Sequence, residues 1–150
     1  MIQRPRVPAI LTLLTLLIVG GLLLFVRKSA AADESQLDSL RLAIAQPNAK
    51  PVAWLQYGQK LQSLGRYAAA AGAYQKFLES YPNDHDALLA SCLCVALTGD
   101  RDKFHEYMAA TIKKDPRLSK AVFESPEASP YLTDDRFKAL KELAIVQSMD

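Results

Sequence analysis

The sequence predicts an all-α fold, in which one N-terminal transmembrane helix is followed by a short right-handed solenoid of helical hairpins with capping helices. Two observations lead to this prediction. The first is a run of twenty uncharged, mostly apolar residues from Val7 to Val26. The second is an internal period, because Pro47, Pro82 and Pro116 are separated by 35 and 34 residues. The chain has 150 residues, the length of one ordinary domain, which argues against a multidomain enzyme.

The apolar run predicts a membrane anchor over residues 1–28. Twenty helical residues extend roughly 30 Å, the hydrocarbon thickness of a bilayer. The alternative is a signal peptide cleaved after Ala32, supported by three consecutive alanines at 30–32. Against cleavage, the run exceeds the usual ~7–15 apolar residues and is followed directly by Arg27 and Lys28. We therefore expect a single-pass protein of the bacterial inner membrane, while basic residues on both flanks leave its orientation open.

The charge distribution argues against nucleic acid as a partner. The formal net charge is +2, but four of the 18 lysines and arginines lie within the first 28 residues. The remainder carries 14 basic against 16 acidic residues, a balance of −2. It therefore lacks the basic stripe that nucleic-acid binding requires.

The body of the chain consists of two similar units. Aligning residues 51–84 with residues 85–118 pairs Trp54 with Leu88 and Gly65 with Gly99. Apolar residues recur at helical spacing up to Leu64, Gly65 interrupts them, and the spacing resumes from Tyr67. Each unit is therefore predicted to be a helix, a short turn and a second helix.

Residues 51–84 resemble a tetratricopeptide repeat, and residues 85–118 resemble a second, weaker copy. The resemblance rests on aromatic, small, glycine and proline residues at the family's spacing, and it implies that these positions pack the helices together. In the second copy Phe104 replaces a small residue, and we expect Ser91 and Cys92 to make room for its ring. The implied packing residues are Trp54, Gly58, Leu61, Gly65, Tyr67, Ala70, Tyr74, Pro82, Leu88, Cys92, Gly99, Phe104 and Pro116.

The two flanks of the repeats are predicted to cap the array, since two helix pairs alone cannot bury their outer apolar faces. Residues 29–50 form a linker and a helix with Leu37, Leu40 and Ile44 on one face. Residues 119–150 contain a short helical piece, the breaker-rich segment ESPEASP, and a last helix that opens near Asp134.

The sequence predicts no enzyme, metal site or cofactor. It contains no nucleophile, phosphate-loop or zinc-protease motif. The two histidines, His85 and His105, are expected toward opposite ends of a helix pair. Cys92 and Cys94 lie about 200° apart around a helix, so they are expected to be buried structural thiols and not a disulfide. Asp84 is predicted to cap the helix that follows it.

The resemblance implies that the first helix of each repeat lines a concave groove that receives peptides or helices of protein partners. Helical phase assigns six residues to this groove: Leu55, Gln59, Gln62, Leu89, Leu93 and Leu97. Since none is basic, a clamp for carboxyl-terminal acidic peptides is disfavoured. The alternative is that the C-terminal helix covers the three leucines of the second repeat as ordinary core.

These patterns predict a non-catalytic, membrane-anchored adaptor or scaffold that mediates protein–protein interaction, in the assembly of a membrane or envelope complex. Two alternatives stay open. One is a permanent accessory subunit of such a complex, and the other is a periplasmic binding domain with an amino terminus near Asp33 after cleavage.

Overall fold

A computed structural model describes residues 31–148, and within this range the chain is helical and contains no strand. The helices are α1 (residues 31–44), α2 (Pro51–Ser63), α3 (Tyr67–Leu78), α4 (His85–Thr98), α5 (Arg101–Lys114), α6 (Pro116–Phe123) and α7 (Asp135–Gln147). A 3-10 helix, Pro126–Tyr131, lies between the last two. The predicted all-α fold is confirmed.

The chain divides into two compact units between Ser39 and Leu40. The described part of the first unit, residues 31–39, is helical. The second unit carries the rest of α1 and both repeats. The predicted membrane span from Val7 to Val26 lies outside the described residues. No helix within residues 31–148 is long and apolar enough to cross a bilayer.

Aspartates begin most of the later helices. The Asp84 carboxylate accepts a hydrogen bond from the Ala87 amide at 2.9 Å, which confirms the predicted cap of α4. Asp100, Asp115 and Asp134 accept equivalent bonds at the starts of α5, α6 and α7. Hydrogen bonds from backbone amides lower the pKa of Asp100 and Asp134. Side-chain capping therefore fixes where these helices begin.

The same turn joins the two helices of each repeat. Gly65 has φ +71° and Gly99 has φ +78°, both in the left-handed region. A side chain is disfavoured there, which explains why glycine stands at the two positions that are one period apart. The prediction that Gly65 interrupts the first unit is confirmed.

The helices of the second unit pack in sequence. α3 contacts α2 and α4, α5 contacts α4, and α6 contacts α4 and α5. The last helix, α7, contacts α5 and α6. The buried apolar side chains lie along this line of contacts, from Leu61 in α2 to Ala144 in α7.

The thirteen residues implied to pack the repeats differ in burial. Seven of them are buried: Gly58, Leu61, Ala70, Tyr74, Leu88, Cys92 and Phe104. Met108, which is not one of the thirteen and aligns with Tyr74, is buried as well. Trp54, Tyr67 and Pro116 are half-buried. Gly65, Pro82 and Gly99 are exposed because they lie in turns.

Phe104 of the second repeat forms an aromatic cluster with Phe123, Tyr131 and Phe137 of the C-terminal segment. The Phe104 ring centroid lies 4.4 Å from that of Tyr131 and 5.5 Å from that of Phe137. Phe123 meets Phe137 edge-on at 4.9 Å. The aromatic neighbours of Phe104 therefore come from elements after the second repeat. Ser91 and Cys92 are buried. That their small side chains make room for the Phe104 ring stays a prediction.

Candidate protein-binding site

Three leucines of α4 form a stripe, called here the leucine stripe: Leu89, Leu93 and Leu97. Their spacing of four residues places them on one face of the helix. Leu89 and Leu93 are half-buried, and Leu97 is 41% exposed. α7 packs mainly against α5 and α6. That the C-terminal helix covers the stripe stays an open alternative.

The carboxyl end of α4 is covered by the 3-10 helix. The Tyr131 hydroxyl donates a hydrogen bond to the Ala96 carbonyl oxygen at 2.7 Å, and both residues are buried. The Arg101 guanidinium lies 5.7 Å from the centre of the Tyr131 ring. Sequence reasoning missed Tyr131. The only signal was an aromatic residue within a proline-rich segment.

The aligned face of α2 is more polar. Leu55 is half-buried and Gln59 is exposed. Gln62 is half-buried, and its Oε1 accepts a hydrogen bond from the Tyr74 hydroxyl at 2.6 Å. Burial raises the pKa of Tyr74 to about 12, so this hydroxyl keeps its proton at neutral pH. The side chain of Gln62 is thus engaged in packing within the first repeat.

Leu97 lines two open depressions. One, of about 550 Å³, is shared with Thr98 and the start of α3 from Gly65 to Ala69. The other, of about 480 Å³, is shared with Arg101 and the 3-10 helix. Side chains of a bound segment would therefore find space next to an exposed leucine, as in a protein-binding surface.

The second repeat contains two cysteines and two histidines. Burial raises the pKa of Cys92 to about 12 and that of Cys94 to about 11, so both thiols stay protonated at neutral pH. Both are free and buried, as predicted. The exposed His85 lies with its Nδ1 3.2 Å from Asp115 Oδ2, at the start of α4. Residues 31–148 contain no group of three or more His, Cys, Asp or Glu placed to hold a metal ion.

The family comparison concerns the helices that carry this surface. Residues 51–94 match the family model of the tetratricopeptide repeat. The match confirms the resemblance for α2, α3 and the first ten residues of α4. No curated protein and no solved structure matches the chain.

The tetratricopeptide-repeat match includes Leu89 and Leu93 and stops before Leu97. Beyond it lies Phe104, which stands where the family has a small residue and which packs against Tyr131 and Phe137. The second repeat therefore departs from the family pattern at the point where it contacts the C-terminal segment. Tetratricopeptide repeats generally mediate protein–protein interaction, which is consistent with a protein partner for this chain.

Proposed function

We propose that the protein is a non-catalytic adaptor that binds a protein partner through the leucine stripe of α4. The observation that carries this proposal is the partial exposure of Leu89, Leu93 and Leu97 on the first helix of a repeat. Burying apolar surface contributes about 25 cal/mol per Å², so even a short stripe stabilises a complex when a partner covers it.

The partner segment is extended or helical and presents apolar side chains. No basic residue stands at the six predicted groove positions, and the two depressions beside Leu97 are bordered by alanine, glycine and proline as well as Arg66 and Arg101. At such a surface, apolar packing contributes most of the binding free energy, while the charged groups at its edge orient the partner.

The adaptor is proposed to act beside a membrane. The support is the uncharged run from Val7 to Val26, which is long enough to span a bilayer. Anchoring the repeats close to the bilayer raises their effective concentration near other membrane proteins, which suits the assembly of a membrane or envelope complex. A permanent accessory subunit would differ by co-purifying at fixed stoichiometry.

A crosslinked pull-down from gently solubilised membranes tests the proposal. The wild-type chain is compared with Leu89→Glu/Leu93→Glu and with the matched control Leu42→Glu/Leu132→Glu, which changes two exposed leucines off the stripe. Circular dichroism must show that all three chains are folded. We expect a defined partner that the stripe variant loses and the control retains.

Retention of every partner by the folded stripe variant would contradict the proposal. The intact mass of the purified chain tests the anchor in the same experiment. A mass that includes residues 1–28 supports the anchored adaptor, whereas a mass that begins near Asp33 supports the cleaved form.

A further inference from the structure

Helices α6 and α7 pack against each other and border a cleft. Earlier in the array, the next helix packs onto each pair, since α4 contacts α3, and α6 contacts both α4 and α5. Between α6 and α7 lies a cleft of about 310 Å³, called here the terminal cleft.

The terminal cleft has an apolar floor and a basic rim. Phe123 and Ala144 are buried at its base, and Ile145 is 54% exposed beside them. Three basic side chains stand around this floor and one acidic side chain accompanies them: Arg117, Lys120, Lys141 and Glu124. Lys120 lies 3.9 Å from Glu124. Within the described residues, Arg117 and Lys141 form no ion pair.

We propose that the terminal cleft binds an amphipathic helix of a partner protein that carries an apolar stripe and acidic flanks. A seam between two packed helices accepts the side-chain ridge of a third helix. α6 has eight residues, about 12 Å in length, which corresponds to roughly two turns of such a helix. The excess of basic side chains at the rim favours acidic flanks and repels basic ones.

Charge also distinguishes this occupant from other candidates. A second copy that docked by the same face would bring two basic rims together. A bilayer surface would meet the rim, but Phe123 and Ala144 are too deeply buried for contact with a flat surface. The site shares no residue with the leucine stripe, so the two binding proposals can fail independently.

The test uses the full chain in mild detergent and two synthetic helical peptides with the same leucine stripe. One peptide has glutamates on its flanks and the other has lysines. Binding is measured by fluorescence anisotropy. We expect the acidic peptide to bind about tenfold more tightly than the basic one. The variant Arg117→Glu/Lys141→Glu should lose about tenfold of the acidic peptide's affinity and reverse the preference.

The matched control is Lys76→Glu/Lys103→Glu, which changes the net charge equally at exposed sites outside the cleft. It should leave both affinities within about twofold. If the charge reversal unfolds the chain, the variant Arg117→Gln/Lys141→Gln allows the same comparison of the two peptides. It should lose less affinity for the acidic peptide. The acidic peptide with serines in place of its leucines should not bind.

Equal binding of both peptides, no binding of the acidic peptide, or an equal loss in the control variant would each overturn the proposal. Two further results would assign the cleft to another occupant and also overturn it. One is self-association of the wild type that Arg117→Glu/Lys141→Glu abolishes in sedimentation. The other is displacement of the peptide by anionic but not by neutral phospholipid vesicles.

Discussion

In the first repeat a buried aromatic ring packs against a helix of the same repeat, whereas in the second a buried ring packs against residues that follow the repeat. In the first repeat a Cβ at Gly58 would lie 3.0 Å from Tyr74 Cε1, and Gln62 holds the hydroxyl of the same ring. In the second repeat the aligned residues are Cys92 and Met108, and Phe104 packs against Tyr131 and Phe137. The two repeats have the same length, but their buried aromatic side chains pack against different elements.

The outer faces of the first helices differ in the same way. Positions 55 and 59 of α2 align with positions 89 and 93 of α4, so a leucine and a glutamine in the first repeat correspond to two leucines in the second. The second repeat therefore has the more apolar outer face, and the first repeat has the more polar one. The predictions below test this division.

The largest expected effect is that of Phe104→Ala. Removing a buried ring costs about 3–5 kcal/mol of unfolding free energy because it leaves a cavity in the aromatic cluster. Since Phe104 joins α5 to the C-terminal segment, hydrogen exchange should show loss of protection first in the 3-10 helix and α7. Equal loss in α2 and α3 would contradict the division between the repeats.

The next effect is that of Gly58→Ala in the first repeat. The added Cβ would press on the Tyr74 ring, which is buried and held by Gln62, and we expect a loss of about 1–3 kcal/mol. Gly72→Ala is the matched control, because nothing lies within 4 Å of its Cβ position. It should stabilise the chain by about 0.5–1 kcal/mol in thermal or urea unfolding. Similar effects of both variants would show that the close approach has no energetic role.

The buried thiols predict a loss of stability in alkali. The folded chain keeps Cys92 and Cys94 protonated up to pKa values of about 12 and about 11, above the ordinary value of 9.0. The stabilisation of the folded chain by the protonated thiols is therefore complete below about pH 9. It is lost as the pH rises from about 9 to about 12. By pH 10 the unfolding free energy should fall by about 1 kcal/mol for each fully buried thiol.

The double variant Cys92→Ala/Cys94→Ala should flatten this dependence of the unfolding free energy on pH, measured by urea unfolding from about pH 8 to about pH 11. Tyr74 adds a second loss above pH 10, because burial raises its pKa to about 12. A profile that the double variant leaves unchanged would show that the thiols do not titrate with unfolding.

The smallest effect is that of Tyr131→Phe. This change keeps the ring in the aromatic cluster and removes only the hydrogen bond to the Ala96 carbonyl. We expect a loss of about 0.5–1.5 kcal/mol, measured by thermal unfolding. Tyr131→Ala should cost several times more, and equal losses would mean that the ring contributes nothing beyond its hydroxyl.

Local sequence patterns predicted much of the described fold. The helical pairs, the turn at Gly65 and the cap at Asp84 follow from spacing and from the conformational preferences of single residues. The contacts that join distant segments were not predicted. The Tyr131 hydroxyl donates a hydrogen bond to a carbonyl oxygen 35 residues away in the sequence. Periodicity predicts that a residue is buried, but it does not predict which residue packs against it.

The same limit applies to the candidate site. Helical phase placed the leucines on one face of α4, but it also assigned Gln62 to the groove, and the structure shows this side chain bonded to Tyr74. An amide that packs and an amide that binds have the same spacing in sequence. Only the position of the partner ring distinguishes them.

The central claim, that α4 carries the recognition surface, is tested most directly by photo-crosslinking in intact membranes. A benzophenone side chain is introduced at position 93, at the aligned position 59, and at Lys76, an exposed residue of α3. The account predicts a crosslink to a defined protein from position 93, a weaker one from position 59 and none from position 76. A crosslink from position 76 without one from position 93 would contradict it.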